Sequence, residues 1–354
     1  MTTDTFARAR GVIARGLGER AFPACTCEVG RSSGPLWTEA FGRLSYDVAA
    51  PLTHADTLFD LASLTKVIAT TSVAMDLVQR GALALDTPVA DVFPEWRGTD
   101  RESIRVADLL DHASGLPAHA RLWEHARGRD QFRAALLDIS LERPCGSSSV
   151  YSDVGVMLLG LLLEEVADAP LDVLWDAAWH RAPSRPFLGF RPAAHLRTAI
   201  APTEVVSARG GPLQGVVHDE NADALGGVAG HAGMFGGVAA VGLFAAAVLT
   251  SFKEPTWLTT PDVIRRFAAK QSVPGSSRAL GWDTMLPSSS CGTLMSRTAI
   301  GHTGFTGTSL WIDWERDVYV VLLTNRVHPT RTNERFLPYR AAFHDAVMTD
   351  LINR

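Results

Sequence analysis

Ser63 and Lys66 stand three residues apart in the otherwise apolar stretch FDLASLTKVIATT, residues 59–71. Residues i and i+3 share a helix face. S-x-x-K at a helix start therefore sets an ammonium beside a hydroxyl. A serine hydroxyl attacks a carbonyl carbon only when a neighbour takes its proton. The helix N-terminus carries partial positive charge, which favours an anion and eases loss of a lysine proton. Burial among Leu61, Leu64 and Val67 would act in the same direction. Taken alone, the spacing more often marks an N-cap serine followed by a lysine whose stem lies along the surface.

Two further stretches supply companions. In VYSDVGVMLLG, residues 150–160, Tyr151 stands just before an apolar helix. A phenol near an ammonium loses its proton more easily and can serve as general base and acid. Alone, it reads as a core tyrosine with one hydrogen bond. In GHTGFTGTSLWID, residues 301–313, His302 and Thr303 precede an apolar strand. Gly301, Gly304 and Gly307 leave room for a ligand to approach the backbone, and the strand edge can offer N–H groups to a reacting carbonyl oxygen. Alone, His302 reads as a polar loop residue.

The elements that must position these groups follow from periodicity. Residues 3–18 read as a helix, and 24–29 with 36–41 as a hairpin around GRSSG. Leu64, Val67, Ile68, Val73, Ala74, Leu77 and Val78 recur at helical spacing over 64–80, with Gly81 as the stop. Residues 154–167 are apolar on nearly every side until the end, which predicts a central buried helix. Strands return at 309–312 and 318–324 around the turn DWERD, and a helix over 334–352 closes the chain. The expected fold class is α+β: an antiparallel sheet built from both chain ends and flanked by helices. The expected domains are 1–82 with 256–354 for the sheet and 83–255 for a mostly helical region. The cleft is expected at their junction.

Composition narrows the partners. The 354-residue chain has a net charge of −5, 46% hydrophobic residues and no Lys/Arg block. That argues against nucleic acid and for a large core. The N-terminal MTTDTFARARGVIARGLGERAF lacks the pattern of a secretory signal, so a cytoplasmic location is expected. The uncharged run 232–252 has the length of a membrane span but is rich in Ala and Gly, which drive insertion weakly. It reads as a buried helix after a Gly-rich turn. Cys25 and Cys27 lie two apart on one strand face, where a mutual disulfide is sterically poor. No C-x-x-C occurs, and His218, Asp219, Asn221 and His231 fit no zinc spacing. These four read as a hydrogen-bonded loop near the cleft, and His112 as structural. Neither metal nor cofactor is expected.

In this order, S-x-x-K, Y-S-D and H-T-G resemble the serine β-lactamase and penicillin-binding-protein superfamily, on the side of class C β-lactamases, D,D-peptidases and β-lactamase-like esterases. DTLFDLASLTKVIATT, LALDTPVADVFPEW, IRVADLLDHASGLPAH and LGGVAGHAGMFGGVAAVGLF extend the resemblance over roughly residues 20–350. It implies a β-lactamase/transpeptidase-like fold in which Ser63 is acylated and Lys66 and Tyr151 share its proton. It also implies an oxyanion hole from the backbone N–H groups of Ser63 and Phe305. Asp153, His302, Thr303 and Gly304 would contact substrate.

Two positions depart from the family pattern. Asp153 stands where Y-x-N has an amide. Facing Lys66, it would favour the ammonium and shift the base role toward Tyr151; facing the helix start, it would act as a cap. His302 replaces the lysine of K-T-G, and a histidine near neutrality is only partly charged. The leading expectation is a serine hydrolase of small esters or amides acting through an acyl-enzyme. Alternatives are a D-aminopeptidase or D,D-peptidase with weak β-lactamase activity, an acyltransferase, and a silent peptide-binding homologue.

Overall fold

The computed structural model describes residues 5–274 and 276–352. Six antiparallel strands form the main sheet, in the order β2-β1-β11-β10-β9-β8. They are β1 (Ala24–Arg31), β2 (Gly34–Gly42), β8 (Asp283–Thr284), β9 (Ile300–Thr303), β10 (Ser309–Asp313) and β11 (Val318–Thr324). The first hairpin thus pairs directly with the last strand, with Cys25 opposite Thr324 and Val29 opposite Val320. β11 is buried along its whole length, as its unbroken run of apolar residues requires of a central strand. The expected α+β class and the sheet built from both chain ends are what the fold shows.

Three minor strands, β3 (Phe59–Asp60), β4 (Leu188–Phe190) and β7 (Met234–Gly236), form a separate sheet in the order β3-β7-β4. The pair β5 (Val205–Val206) and β6 (Gly211–Pro212) forms a ribbon.

The main sheet is covered on both faces. On one face, the helices Ala7–Gly18 and Leu337–Ile352 enclose a core that includes Cys25, Cys27, Trp37, Val320 and Phe343. Both cysteines are free thiols. On the other face, a larger core joins Ala24, Leu310 and Val321 of the sheet to Leu64, Val67, Leu158, Phe244 and Trp282. Val238–Ser251 belongs by sequence to the 83–255 region, yet it lies directly on the sheet. A Cβ on Gly242 would sit 1.7 Å from Glu28 Oε1. The helical region and the sheet therefore share one core.

Most elements fall close to their predicted places. The first helix begins at Ala7, and the first two residues of its predicted 3–18 span lie outside the described residues. Asp153–Ala167 is the central helix, with every residue from Val154 to Leu163 buried. Among the described residues, no helix is long and apolar enough to cross a membrane.

Candidate active site

The turn carrying Ser63 is tightly held. Ala62, a non-glycine residue, takes a positive φ of 48°, a conformation uncommon for a residue with a Cβ. Its N–H donates to Asp60 Oδ1 at 2.8 Å, and the Lys66 N–H donates to Ser63 O at 3.1 Å. The chain then enters a helix directly, but residues Lys66–Thr70 form a π-turn before the regular helix Thr71–Gln79. Thr70 Oγ1 donates to Gly230 O at 2.6 Å and Thr71 Oγ1 to Lys66 O at 2.7 Å. Such π-turns occur frequently at functional sites.

Ser63 Oγ lies 2.9 Å from Lys66 Nζ and 2.9 Å from the Tyr151 hydroxyl. Lys66 is buried, and its ammonium also reaches His231 O at 2.9 Å and Asp153 Oδ1 at 2.7 Å. Ser152 caps the central helix by accepting from the Gly155 N–H at 2.9 Å. Asp153 is thereby free to turn toward Lys66. Its other oxygen, Oδ2, lies 2.9 Å from His119 Nδ1, whose side chain is 72% exposed. A connected chain of groups therefore runs from solvent through His119, Asp153 and Lys66 to Ser63.

The electrostatics of this cluster oppose a resting neutral lysine. Burial alone would lower the Lys66 pKa, but the charge of Asp153, followed by Tyr151, outweighs it and raises the value. Burial would raise Asp153, yet Lys66 and the His119 hydrogen bond hold it well below the usual carboxylate range. Burial raises Tyr151 despite the nearby ammonium. The resting cleft thus holds an ammonium, a carboxylate and a neutral phenol.

His302 is buried rather than a loop residue. Burial, reinforced by Arg278 and Lys66, holds its pKa well below the ordinary histidine range. It is a neutral ring with Nδ1 2.9 Å from Thr303 O, and it supplies no cation. Gly301 and Gly304 are required by packing. A Cβ on Gly304 would sit 2.0 Å from Thr308 Oγ1 and 2.6 Å from Leu61 O; one on Gly301 would meet the Trp311 ring at 2.3 Å. Thr306 Oγ1 donates to Asp60 O at 2.7 Å and Thr308 Oγ1 to Leu61 O at 3.0 Å, fastening the β9–β10 loop to the Ser63 turn. Ser63, Asp153, Thr303, Gly304 and Phe305 line one cleft of about 1080 Å³ with Tyr151 and His302.

Arg278 lines the cleft without a local sequence signal. The Arg278 guanidinium lies 5.3 Å from the Tyr151 ring centroid, and its nearest carboxylate among the described residues, Asp283, is 3.9 Å away. His112, read as structural, accepts from the Ser152 N–H at 3.1 Å and packs on Tyr151 with ring centroids 4.9 Å apart. His231 Nε2 pairs with Asp219 Oδ1 at 2.8 Å, and His218 Nε2 with Glu204 Oε2 at 3.1 Å. Burial would raise Asp219, but His231 outweighs it and lowers the value to about 2. Among the described residues, no cluster of three His, Cys, Asp or Glu side chains is arranged to hold a metal.

The Beta-lactamase family model matches residues 9–343. This chain belongs to the beta-lactamase family. The family comprises serine hydrolases of the fold seen here. Over 305 residues the chain is 31% identical to a protein of Escherichia coli K12 named putative D-alanyl-D-alanine carboxypeptidase, covering 77% of this chain and 70% of that protein. Over 303 residues it is 32% identical to a Bacillus subtilis protein named N-acetylmuramyl-L-alanine amidase, covering 77% and 68%. The solved class C beta lactamase of Rhodobacter sphaeroides superposes with a TM-score of 0.77 at 19% identity, over 98% of this chain and 99% of that one.

Proposed function

We propose that the protein hydrolyses an amide or ester bond through an acyl-enzyme on Ser63. The observation that carries this reading is the double contact on Ser63 Oγ, from Lys66 and Tyr151 at 2.9 Å each, at the floor of an open cleft. Oγ attacks the substrate carbonyl carbon. Its proton passes to Lys66 as Lys66 hands one to Asp153, the one group of the three already in its basic form. The N–H groups of Ser63 and Phe305, which bond no described protein acceptor, receive the oxyanion. Tyr151 protonates the leaving amine or alcohol and is reprotonated from Lys66. Water then attacks the ester on Ser63 and releases the acid.

The substrate class follows from Arg278. Arg278 lines the cleft and lies over the Tyr151 ring, with Asp283 3.9 Å away; a permanent cation there favours a substrate that carries a carboxylate. The names of the 31–32% identical relatives point the same way, toward a peptide substrate. A second reading, hydrolysis of small neutral esters, is supported by His302, which places no charge where the K-T-G lysine would.

Intact-mass measurement after exposure to a p-nitrophenyl ester, a D-alanyl-D-alanine peptide and a penicillin tests the reading. An adduct or turnover that vanishes in Ser63→Ala is the expected result. No adduct and no turnover with any probe would refute it. Peptide turnover that exceeds that of the C-terminal amide, with the preference lost in Arg278→Gln, selects the carboxylate-bearing substrate. Equal rates for the two select the neutral-ester reading.

A further inference from the structure

A buried guanidinium is costly unless it is paired. Arg340, on the helix Leu337–Ile352, is only 9% exposed, and no described carboxylate lies within ion-pair distance of it. Its guanidinium lies over the Phe336 ring, 5.0 Å from the centroid. Burial, followed by the nearby Arg326, lowers its pKa to about 10, which leaves it charged at neutral pH. Nη2 donates to Gly304 O at 2.9 Å.

That carbonyl belongs to the same peptide unit as the Phe305 N–H. In a trans peptide the C=O and N–H point in opposite directions. Whatever fixes the Gly304 carbonyl on its far side also aims the Phe305 N–H on its near side. A charged donor on the carbonyl further polarises the unit and strengthens the N–H as a donor. Gly307 N adds a second bond to the same oxygen at 3.1 Å, and Arg326 Nε holds the next carbonyl, Phe305 O, at 2.8 Å. Among the described residues Arg326 also has no ion-pair partner, and its guanidinium lies 4.5 Å from the Phe305 ring centroid. Two positive charges thus hold successive carbonyl oxygens of this loop.

We infer that Arg340 is a positioning residue for acyl transfer: through Gly304 O it aims and polarises the Phe305 N–H toward the oxyanion that forms when Ser63 is acylated. The inference rests on the reading of Ser63 as nucleophile and of the Phe305 N–H as oxyanion donor. It adds a group on the helix Leu337–Ile352 that lines the same cleft and acts through the Gly304 carbonyl.

The test compares wild type, Arg340→Lys and Arg340→Met on a matched ester and thionoester. Sulfur accepts hydrogen bonds weakly, so the ester-to-thionoester rate ratio reports the strength of the oxyanion donors. In Arg340→Met, kcat on the ester is expected to fall by about tenfold or more with KM little changed, and the ratio to shrink. Arg340→Lys, which keeps the charge but not the planar fork, should fall between the two. If Arg340→Met does not fold, the Lys variant and the infrared carbonyl frequency of its acyl-enzyme carry the test. A shift to higher frequency supports the inference, and an unchanged frequency overturns it. An unchanged ratio in a folded variant, with a normal Ser63 adduct, overturns the role of Arg340 alone. Absence of any Ser63-dependent adduct in the wild type overturns the underlying reading and this inference with it.

Discussion

Lys66 donates to Ser63 and His231 and forms a close ion pair with Asp153, an arrangement that suits an ammonium. The pH dependence of Asp153→Asn then has a definite sign. On the proposed route Asp153 is the proton acceptor, and because Lys66 and His119 hold it well below the ordinary carboxylate range, activity should persist far into acid. With an amide there, the ammonium loses its counter-charge and its acceptor together, and turnover must wait for Lys66 to deprotonate. The acid limb of the kcat/KM profile is expected to move to higher pH. A shift to lower pH would mean instead that neutral Lys66 is already the base and Asp153 a brake on it. An unmoved profile would remove Asp153 from the proton path. His119→Ala is expected to change the same profile less, because it removes only the hydrogen bond to Oδ2 and leaves the Lys66 contact intact.

At the scale of elements, the site is a junction of two loops locked back to back. Gly304 lies against Leu61 O and Thr308 Oγ1 with no space for a methyl group. Gly304→Ala should therefore push the β9–β10 loop off the Ser63 turn. Overpacking of this kind costs roughly 1–3 kcal/mol. Thermal unfolding should show that loss, and acylation should fall more steeply than stability, since the Phe305 N–H moves with the loop. A variant of normal activity would show that the loop can give way without disturbing the site. This junction marks the limit of what local sequence discloses. The helix over 64–80 was legible because its apolar residues keep a 3.6-residue period, but that period carries no mark of the π-turn at Lys66–Thr70. The strands of β3-β7-β4 are two or three residues long, too short for alternation to register. Ser63, Lys66 and Tyr151 could be picked out from short motifs and the resemblance they carry. Arg278, Arg340 and His119 could not, because each reaches the cleft from a segment whose own pattern says only helix or loop. Their meaning arises from burial and from partners distant in sequence.

For the whole molecule, the question is how the two chain ends are held in one sheet while the cleft lies between them. Part of the answer is a cap supplied from the opposite end of the chain. The N-cap residue of the helix Ala7–Gly18, Phe6, caps it with no side-chain hydrogen bond. Instead Asp350, near the end of the last helix, accepts from the Arg8 N–H at 3.1 Å and the Ala9 N–H at 3.3 Å, while its Oδ1 pairs with Arg8 Nη1 at 2.8 Å. The carboxylate is nearly buried, whereas the Arg8 side chain is 60% exposed, so the ion pair itself contributes little in water. The backbone N–H groups and the positive end of the helix dipole carry the interaction. Asp350→Ala removes the acceptor of both N–H groups, of which the Ala9 bond is buried, a loss of about 1–3 kcal/mol. The unfolding temperature should fall by a few degrees, and hydrogen exchange should quicken in the first helix before it does in β1. The contact is on the face of the sheet away from the cleft, so kcat and KM for the wild-type substrate should be unchanged at a temperature where both proteins are folded. A fall in kcat at such a temperature would mean that the packing of the terminal helices is transmitted through β1 and β11 to the Ser63 turn, and that the sheet is not the rigid support this arrangement requires.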